Sequence, residues 1–186
     1  MAGTFLEGCE IIEFAAEDDD LRQSTIESIL ALVDHVNSDP SQGQRHLDRL
    51  FKLSVDRVFS MRGFGTVVTG TTASGGISVG DTVRLLPQGE STRVRGIQVH
   101  GEPVERVLAG SRAAINLQNV DHHSVSRAEV LSCEHGFKAT TSFDGTLVAL
   151  KRLSKSIRNR AKVLVHVGTA QIQGTLVILG QDEIQP

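Results

Sequence analysis

Between Phe51 and Ser132 short apolar runs alternate with polar positions and are punctuated by glycine. Phe51, Leu53 and Val55 fall two apart, the period of a strand with one buried face. Runs near Phe51–Phe59, Gly65–Thr72, Thr82–Leu86, Thr92–His100, Arg112–Leu117 and Glu129–Ser132 read as strands. Turns are predicted at Ser74-Gly75-Gly76, Val79-Gly80-Asp81, Pro87-Gln88-Gly89 and His100-Gly101-Glu102-Pro103. Many short strands at regular spacing predict a barrel, which closes a sheet and removes exposed edges.

The flanks follow different periods. Cys9–Ala15 reads as a short strand. Asp18, Asp19 and Asp20 then place carboxylates where a helix begins, beside unpaired backbone N–H groups. Leu21, Thr25, Ile29, Leu32, Val33 and Val36 recur at three and four residues and form one helical face. Asn37-Ser38-Asp39-Pro40 stops the helix, and the polar run Ser41–Arg49 reads as a linker. Past Cys133, Leu147–Leu150, Val163–Gly168 and Leu176–Leu179 are further strand-like runs, separated by the basic loop Lys151–Arg160. The chain is therefore read as mostly β in three parts: residues 1–49 (strand, helix, linker), a barrel over 50–132, and a partial β-barrel over 133–186.

Composition narrows the class. With 186 residues, 39% hydrophobic and 22% charged, the chain suits one or two small soluble domains. It has no apolar run of about 18 residues and no basic-then-apolar leader, so neither a membrane span nor a signal peptide is expected. Cys9 and Cys133 lie far apart and read as two reduced thiols of a cytoplasmic protein. Residues 1–49 hold 3 Lys/Arg against 11 Asp/Glu, residues 50–132 hold 9 against 7, and residues 133–186 hold 7 against 4. An acidic leader thus precedes a mildly basic body that can attract a polyanion.

The stretch Val55–Asp81 carries the most specific pattern. Val55-Asp56-Arg57-Val58-Phe59, Gly63–Thr71 and Gly80-Asp81 resemble the second domain of translational GTPases. Arg93–Gly101 and Ala109–Leu117 narrow the resemblance to the selenocysteine-specific elongation factors, and His166–Ala170 is similar to their third domain. The resemblance implies a translation-factor barrel over 50–132, a remnant of the GTP-binding domain before it and a partial third domain after it. It also implies that the barrel binds the aminoacyl end of selenocysteyl-tRNA, with GTP, magnesium and the ribosome engaged through the parent protein.

The resemblance places an aminoacyl pocket at Asp56, Arg57 and Arg112. The chemistry suits an ionised selenol, since guanidinium stays charged and donates in a fixed fork. By period-two counting Arg57 shares the apolar face of Phe51, Leu53, Val55 and Phe59, which is costly for a charge unless a partner or a bulge intervenes. A bulge or barrel rim that frees Arg57 into solvent is the alternative. Arg112 lies opposite Ala113, Ile115 and Leu117 and reads equally as a surface arginine. His100, at a strand end, is a further candidate for the pocket or an ordinary turn residue. Arg93, Arg95, Lys151 and Arg152 are candidates for tRNA backbone phosphates, or solvated positions.

Other chemistries fail on spacing. Gly65–Thr72 has the glycine spacing of a phosphate loop but Thr71 stands where lysine is required. No Asn-Lys-x-Asp run occurs, and Ala15-Ala16 stands where the family holds guanine with Ser-Ala. No GTP binding or catalysis is expected of this chain alone, and no cofactor. His122-His123 are adjacent and expected to diverge, so no metal site is predicted. The competing readings are another aminoacyl-tRNA-binding elongation-factor domain, or a barrel that serves only interdomain or ribosome contacts.

Overall fold

Leu53, Val55, Val68, Val83, Ile115 and Leu131 are wholly out of solvent and come from five different strands. Such burial from short alternating segments requires a sheet that curls onto itself. The computed structural model describes residues 8–9, 11–38, 47–150 and 153–185, without the side chain of residue 37. Six strands form the closed barrel: β1 (Lys52–Met61), β2 (Gly65–Ser74), β4 (Thr82–Leu86), β5 (Glu90–Val99), β8 (Arg112–Leu117) and β9 (Val130–Cys133). Their order is β4-β9-β1-β2-β8-β5, and β5 pairs back to β4, so the cycle has no free edge. Every pairing is antiparallel.

The expected barrel over this region is present, and two of its strands, β4 and β8, match their expected limits. Three short strands were not expected; two of them overlap predicted turns, at Gly76 and at Glu102-Pro103, and the third lies where neither strand nor turn was predicted. They are β3 (Gly76–Ser78), β6 (Glu102–Val104) and β7 (Arg106–Leu108), with β3 paired to β7 and β6 added to β5. The pairing of β3 with β7 joins Ile77 to Val107 across 30 residues, a contact that local glycine content conceals. Gly80-Asp81 closes the turn before β4: Gly80 adopts φ 92°, and the Asp81 carboxylate accepts the Ser78 N–H at 2.9 Å.

The chain divides into two compact units. One takes the described residues within Arg45–Phe143 and Lys162–Gly174, so it holds the barrel and, as far as Gly174, the hairpin of β11 (Lys162–Val167) and β12 (Ala170–Thr175). The hairpin turn sits on β1, where Thr169 Oγ1 donates to the Val55 carbonyl at 2.7 Å. The other unit takes the described residues within Met1–Gln44, Asp144–Ala161 and Thr175–Pro186. It contains helix α1 (Asp19–Ser38) and the two-residue strands β10 (Ile157–Arg158) and β13 (Glu183–Ile184), which pair with each other.

Helix α1 begins as its sequence dictates. Asp18 caps it, its Oδ1 accepting the N–H groups of Asp20 and Leu21 at 3.0 Å each. Ile29, Leu32 and Val33, on the expected apolar face, are exposed. The expected strand over Cys9–Ala15 does not form among its described residues, nor do strands over Leu147–Leu150 or Leu176–Leu179. Apolar composition permits a strand, but a ladder partner makes one, and these segments find none among the described residues. Leu176 instead exchanges single backbone hydrogen bonds with Arg160 and Ala161. Residues 39–46 of the expected helix stop and linker lie outside the described residues. No helix among the described residues is long and apolar enough to cross a membrane.

Candidate functional site

The site begins with an irregularity in β1. Val55 pairs with Gly70 of β2, but the next pair is Arg57 with Thr69, so Asp56 is the extra residue of a β-bulge. A bulge reverses the parity of everything after it. Val55 is buried, Val58 packs against the core, and Arg57 and Phe59 face out, Phe59 with 38% exposure. This corrects the count that put Arg57 and Phe59 on the apolar face. Arg57 needs no buried partner because the bulge turns it to solvent.

The bulge also turns Asp56 outward, toward strand β8. Arg112 Nη2 donates to Asp56 Oδ1 at 2.8 Å and to Oδ2 at 2.9 Å, while Nε reaches Oδ2 at 3.2 Å. Thr69 donates its hydroxyl to Asp56 Oδ1 at 2.6 Å. Partial burial pushes the Asp56 carboxyl up. Hydrogen bonds from Thr69 and Arg112, with the charges of Arg112 and Arg57, outweigh it and hold the carboxyl below its ordinary value. Asp56, Arg57 and Arg112 therefore share one outer patch of the barrel.

Their roles are unequal. The Nε and Nη2 donors of Arg112 both serve Asp56, and its side chain is 52% exposed. The Arg57 side chain makes no hydrogen bond or ion pair among the described residues. Asp56 thus occupies the fork of Arg112, while the Arg57 guanidinium has no such partner among the described residues. Thr69, only 8% exposed, was not among the expected site residues. Its one sequence signal is its place in the Gly65–Thr71 run, and only the strand register sets it beside Asp56.

The bulge is pinned from behind. The Val55 carbonyl accepts the Ala128 N–H at 3.1 Å as well as the Thr169 hydroxyl, and the Val55 N–H donates to the Glu129 carbonyl at 2.9 Å. Ala128 holds φ 82°, a left-handed conformation that costs a non-glycine residue of order 1 kcal/mol or more.

The remaining candidates lie elsewhere. His100 and Gly101 form the two-residue turn between β5 and β6, both left-handed at φ 55° and 87°. Val99, just before it, pairs with Ala113, so His100 lies at the Arg112 end of β8, exposed and without a hydrogen bond to Asp56. Arg93 and Arg95 flank buried Val94 and are exposed. Lys151 and Arg152 lie outside the described residues.

His122 and His123 do not diverge as expected. Their ring centroids lie 3.8 Å apart with the planes tilted by 41°, in a 3₁₀ turn capped by Asp121, which accepts the His123 N–H and lies 3.5 Å from His122 Nδ1. The three side chains bring their ligand atoms within 4.8 Å of one another at the surface.

Residues 65–132 match the family described as elongation factor Tu domain 2. Over all 186 residues the chain is 33% identical to a selenocysteine-specific elongation factor of Desulfomicrobium baculatum, of which it covers 28%. The chain is a homologue of selenocysteine-specific elongation factors. A second such factor, from Methanocaldococcus jannaschii, is 29% identical over 135 residues, which are 72% of this chain and 29% of that protein. The crystal structure of translation elongation factor SelB from Methanococcus maripaludis in its apo form aligns with a TM-score of 0.64 and 26% identity, over 89% of this chain and 35% of that one. The same factor with the GTP analogue GppNHp shares the fold at a TM-score of 0.61 and 24% identity, over 88% and 37%. The chain therefore spans less than two fifths of each of these relatives. Within it, Asp56 and Arg57 stand before the span matched to domain 2, and Arg112 stands inside it.

Proposed function

We propose that this chain is the part of a selenocysteine-specific elongation factor that holds the aminoacyl end of selenocysteyl-tRNA. In this reading residues 1–49 end the GTP-binding domain, 50–132 are domain two and 133–186 begin domain three. The longer protein binds GTP with magnesium, delivers the tRNA to the ribosome and works in the cytoplasm. Arg93, Arg95, Lys151 and Arg152 meet the tRNA backbone, and His100 borders the pocket.

The observation that carries the reading is the Arg57 guanidinium, unpaired among the described residues, beside an Asp56 carboxylate already held by Arg112. A free thiol ionises near pH 8.5. A selenol is more acidic, so it is an anion at neutral pH where a serine hydroxyl is neutral. A charge-assisted hydrogen bond to Arg57 favours the anion by about 1.5–3 kcal/mol, or roughly tenfold or more. The clamped Asp56 repels an anion that strays toward Arg112, so the pair gives direction as well as charge. The two guanidinium groups and one carboxylate leave the patch with a net positive charge, as an anionic ligand requires.

The test is the affinity of the full-length factor for selenocysteyl-tRNA against seryl-tRNA carrying the same tRNA body. The wild type is expected to prefer the selenocysteyl form, and Arg57→Ala to abolish that preference. Equal affinities in the wild type would sink the reading.

A further inference from the structure

Thr69 stands where three interactions of the proposed site meet. It is the ladder partner of Arg57, which fixes the two residues side by side on β2 and β1. Its hydroxyl donates to Asp56 Oδ1 at 2.6 Å. Arg112 Nη2 lies 3.4 Å from the same hydroxyl oxygen, so the group that orients the carboxylate also touches the guanidinium that grips it. Thr69 is nearly buried, unlike the two arginines, and its rotamer is restricted by its β-branch.

Asp56 needs such a brace. As the extra residue of a bulge it lacks a ladder partner of its own, so β1 alone does not dictate which arginine its carboxylate serves. Arg57 is its immediate neighbour and Arg112 is 56 residues away. Both arginines exert charge on it. A hydroxyl fixed on β2 and aimed at Oδ1 decides the contest for Arg112.

We propose that Thr69 is a specificity-determining positioning residue: it commits Asp56 to Arg112 and thereby keeps Arg57 free for the anionic ligand. Without the hydroxyl, the carboxylate shares itself between the two guanidinium groups. Arg57 is then partly neutralised before any ligand arrives, and the patch loses its bias for an anion over a neutral group. This inference rests on the reading of the site given above.

The experiment compares Thr69→Val, which keeps the branched shape and removes the hydroxyl, with Thr69→Ser, which keeps the hydroxyl. The first readout is the ratio of selenocysteyl-tRNA to seryl-tRNA affinity in the full-length factor. The second is the titration of the Asp56 carboxyl carbon by NMR in the 186-residue chain. Thr69→Val is expected to cut the preference about tenfold, the scale of one charge-assisted hydrogen bond, and to move the Asp56 titration to higher pH. Thr69→Ser is expected to restore both. A wild-type preference that survives in Thr69→Val overturns the role of Thr69 while leaving the site reading intact. A wild type without preference overturns the site reading and the specificity role together, and the titration then reports only whether Thr69 braces Asp56. A loss of preference in Thr69→Val that Thr69→Ser fails to restore shows a packing effect and also overturns the proposal.

Discussion

Asp56 lies in the fork of Arg112, with Nη2 at 2.8 Å from Oδ1 and Nε at 3.2 Å from Oδ2, across three strands of the barrel. The pair joins β1 to β8 over β2, so it is both part of the candidate site and a tie on the outer face. Its two sides differ in exposure, 28% for the carboxylate and 52% for the guanidinium, and water screens it accordingly.

Asp56→Asn therefore has a modest effect on folding. It is expected to lower stability by about 0.5–1 kcal/mol, as exposed ion pairs do. Urea unfolding at neutral pH measures it. The same change releases Arg112, so the preference for an anionic aminoacyl end is expected to survive or rise even as stability falls. A loss of several kcal/mol would mean that the carboxylate supports the bulge itself.

The acid limb of stability carries a matching signature. The folded Asp56 carboxyl titrates below its ordinary value. Its contribution is thus fully present above the unfolded value of about pH 4 and is lost as pH falls through the lower folded value. The stability gap between wild type and Asp56→Asn should be constant near neutrality and shrink only below about pH 4. Unfolding curves at stepped pH values show this directly, and a gap that closed already near pH 6 would contradict the assignment.

Arg57 and Arg112 separate by readout. Arg57→Ala should erase the selenocysteyl preference with stability changed by less than about 0.5 kcal/mol, because the side chain is exposed and unpaired among the described residues. Arg112→Ala should erase the preference and also cost about 0.5–1 kcal/mol. In that variant Asp56 keeps Thr69 and turns to Arg57. Tandem binding and denaturation measurements on the two variants distinguish ligand contact from clamp.

Thr169→Val tests the support of the bulge. It removes the hydroxyl that reaches the Val55 carbonyl, which keeps the Ala128 N–H. The expected cost is about 1 kcal/mol. Amide exchange should quicken in β11 and β12 before it does in the barrel, since the bond ties the hairpin to β1. Unchanged exchange in the hairpin would show that its attachment lies elsewhere.

Gly70→Ala probes how tightly β1 and β2 close behind the bulge. A Cβ there would fall inside the contact distance of the Ser54 carbonyl and 2.6 Å from Leu53 Cδ2. A backbone oxygen cannot step aside as a side chain can, so a loss of about 3 kcal/mol is expected. A thermal melt within a few degrees of wild type would contradict this packing.

Strands β4 and β8 and the capped start of α1 were readable from the chain because their causes are local. They are alternation between turn residues and a carboxylate placed before a helical repeat. The Asp56, Arg57 and Arg112 cluster was readable only through resemblance. Period-two counting assumes an unbroken ladder, so it set Arg57 on the wrong face. Thr69 stayed hidden for the same reason, since its closeness to Asp56 exists only through the register of β1 on β2. The expected strand at Cys9–Ala15 is the converse case, where local composition was favourable and no ladder partner is found among the described residues.

By itself the amino-acid order determined the spacing of strands and turns, the helix cap and the residue types able to meet an anion, because these depend on neighbours along the chain. Only the tertiary structure decided which arginine is occupied and which, among the described residues, has no side-chain partner. That choice depends on one extra residue in β1 and on a hydroxyl from the strand beside it, and pairing between strands is set by the closed barrel as a whole.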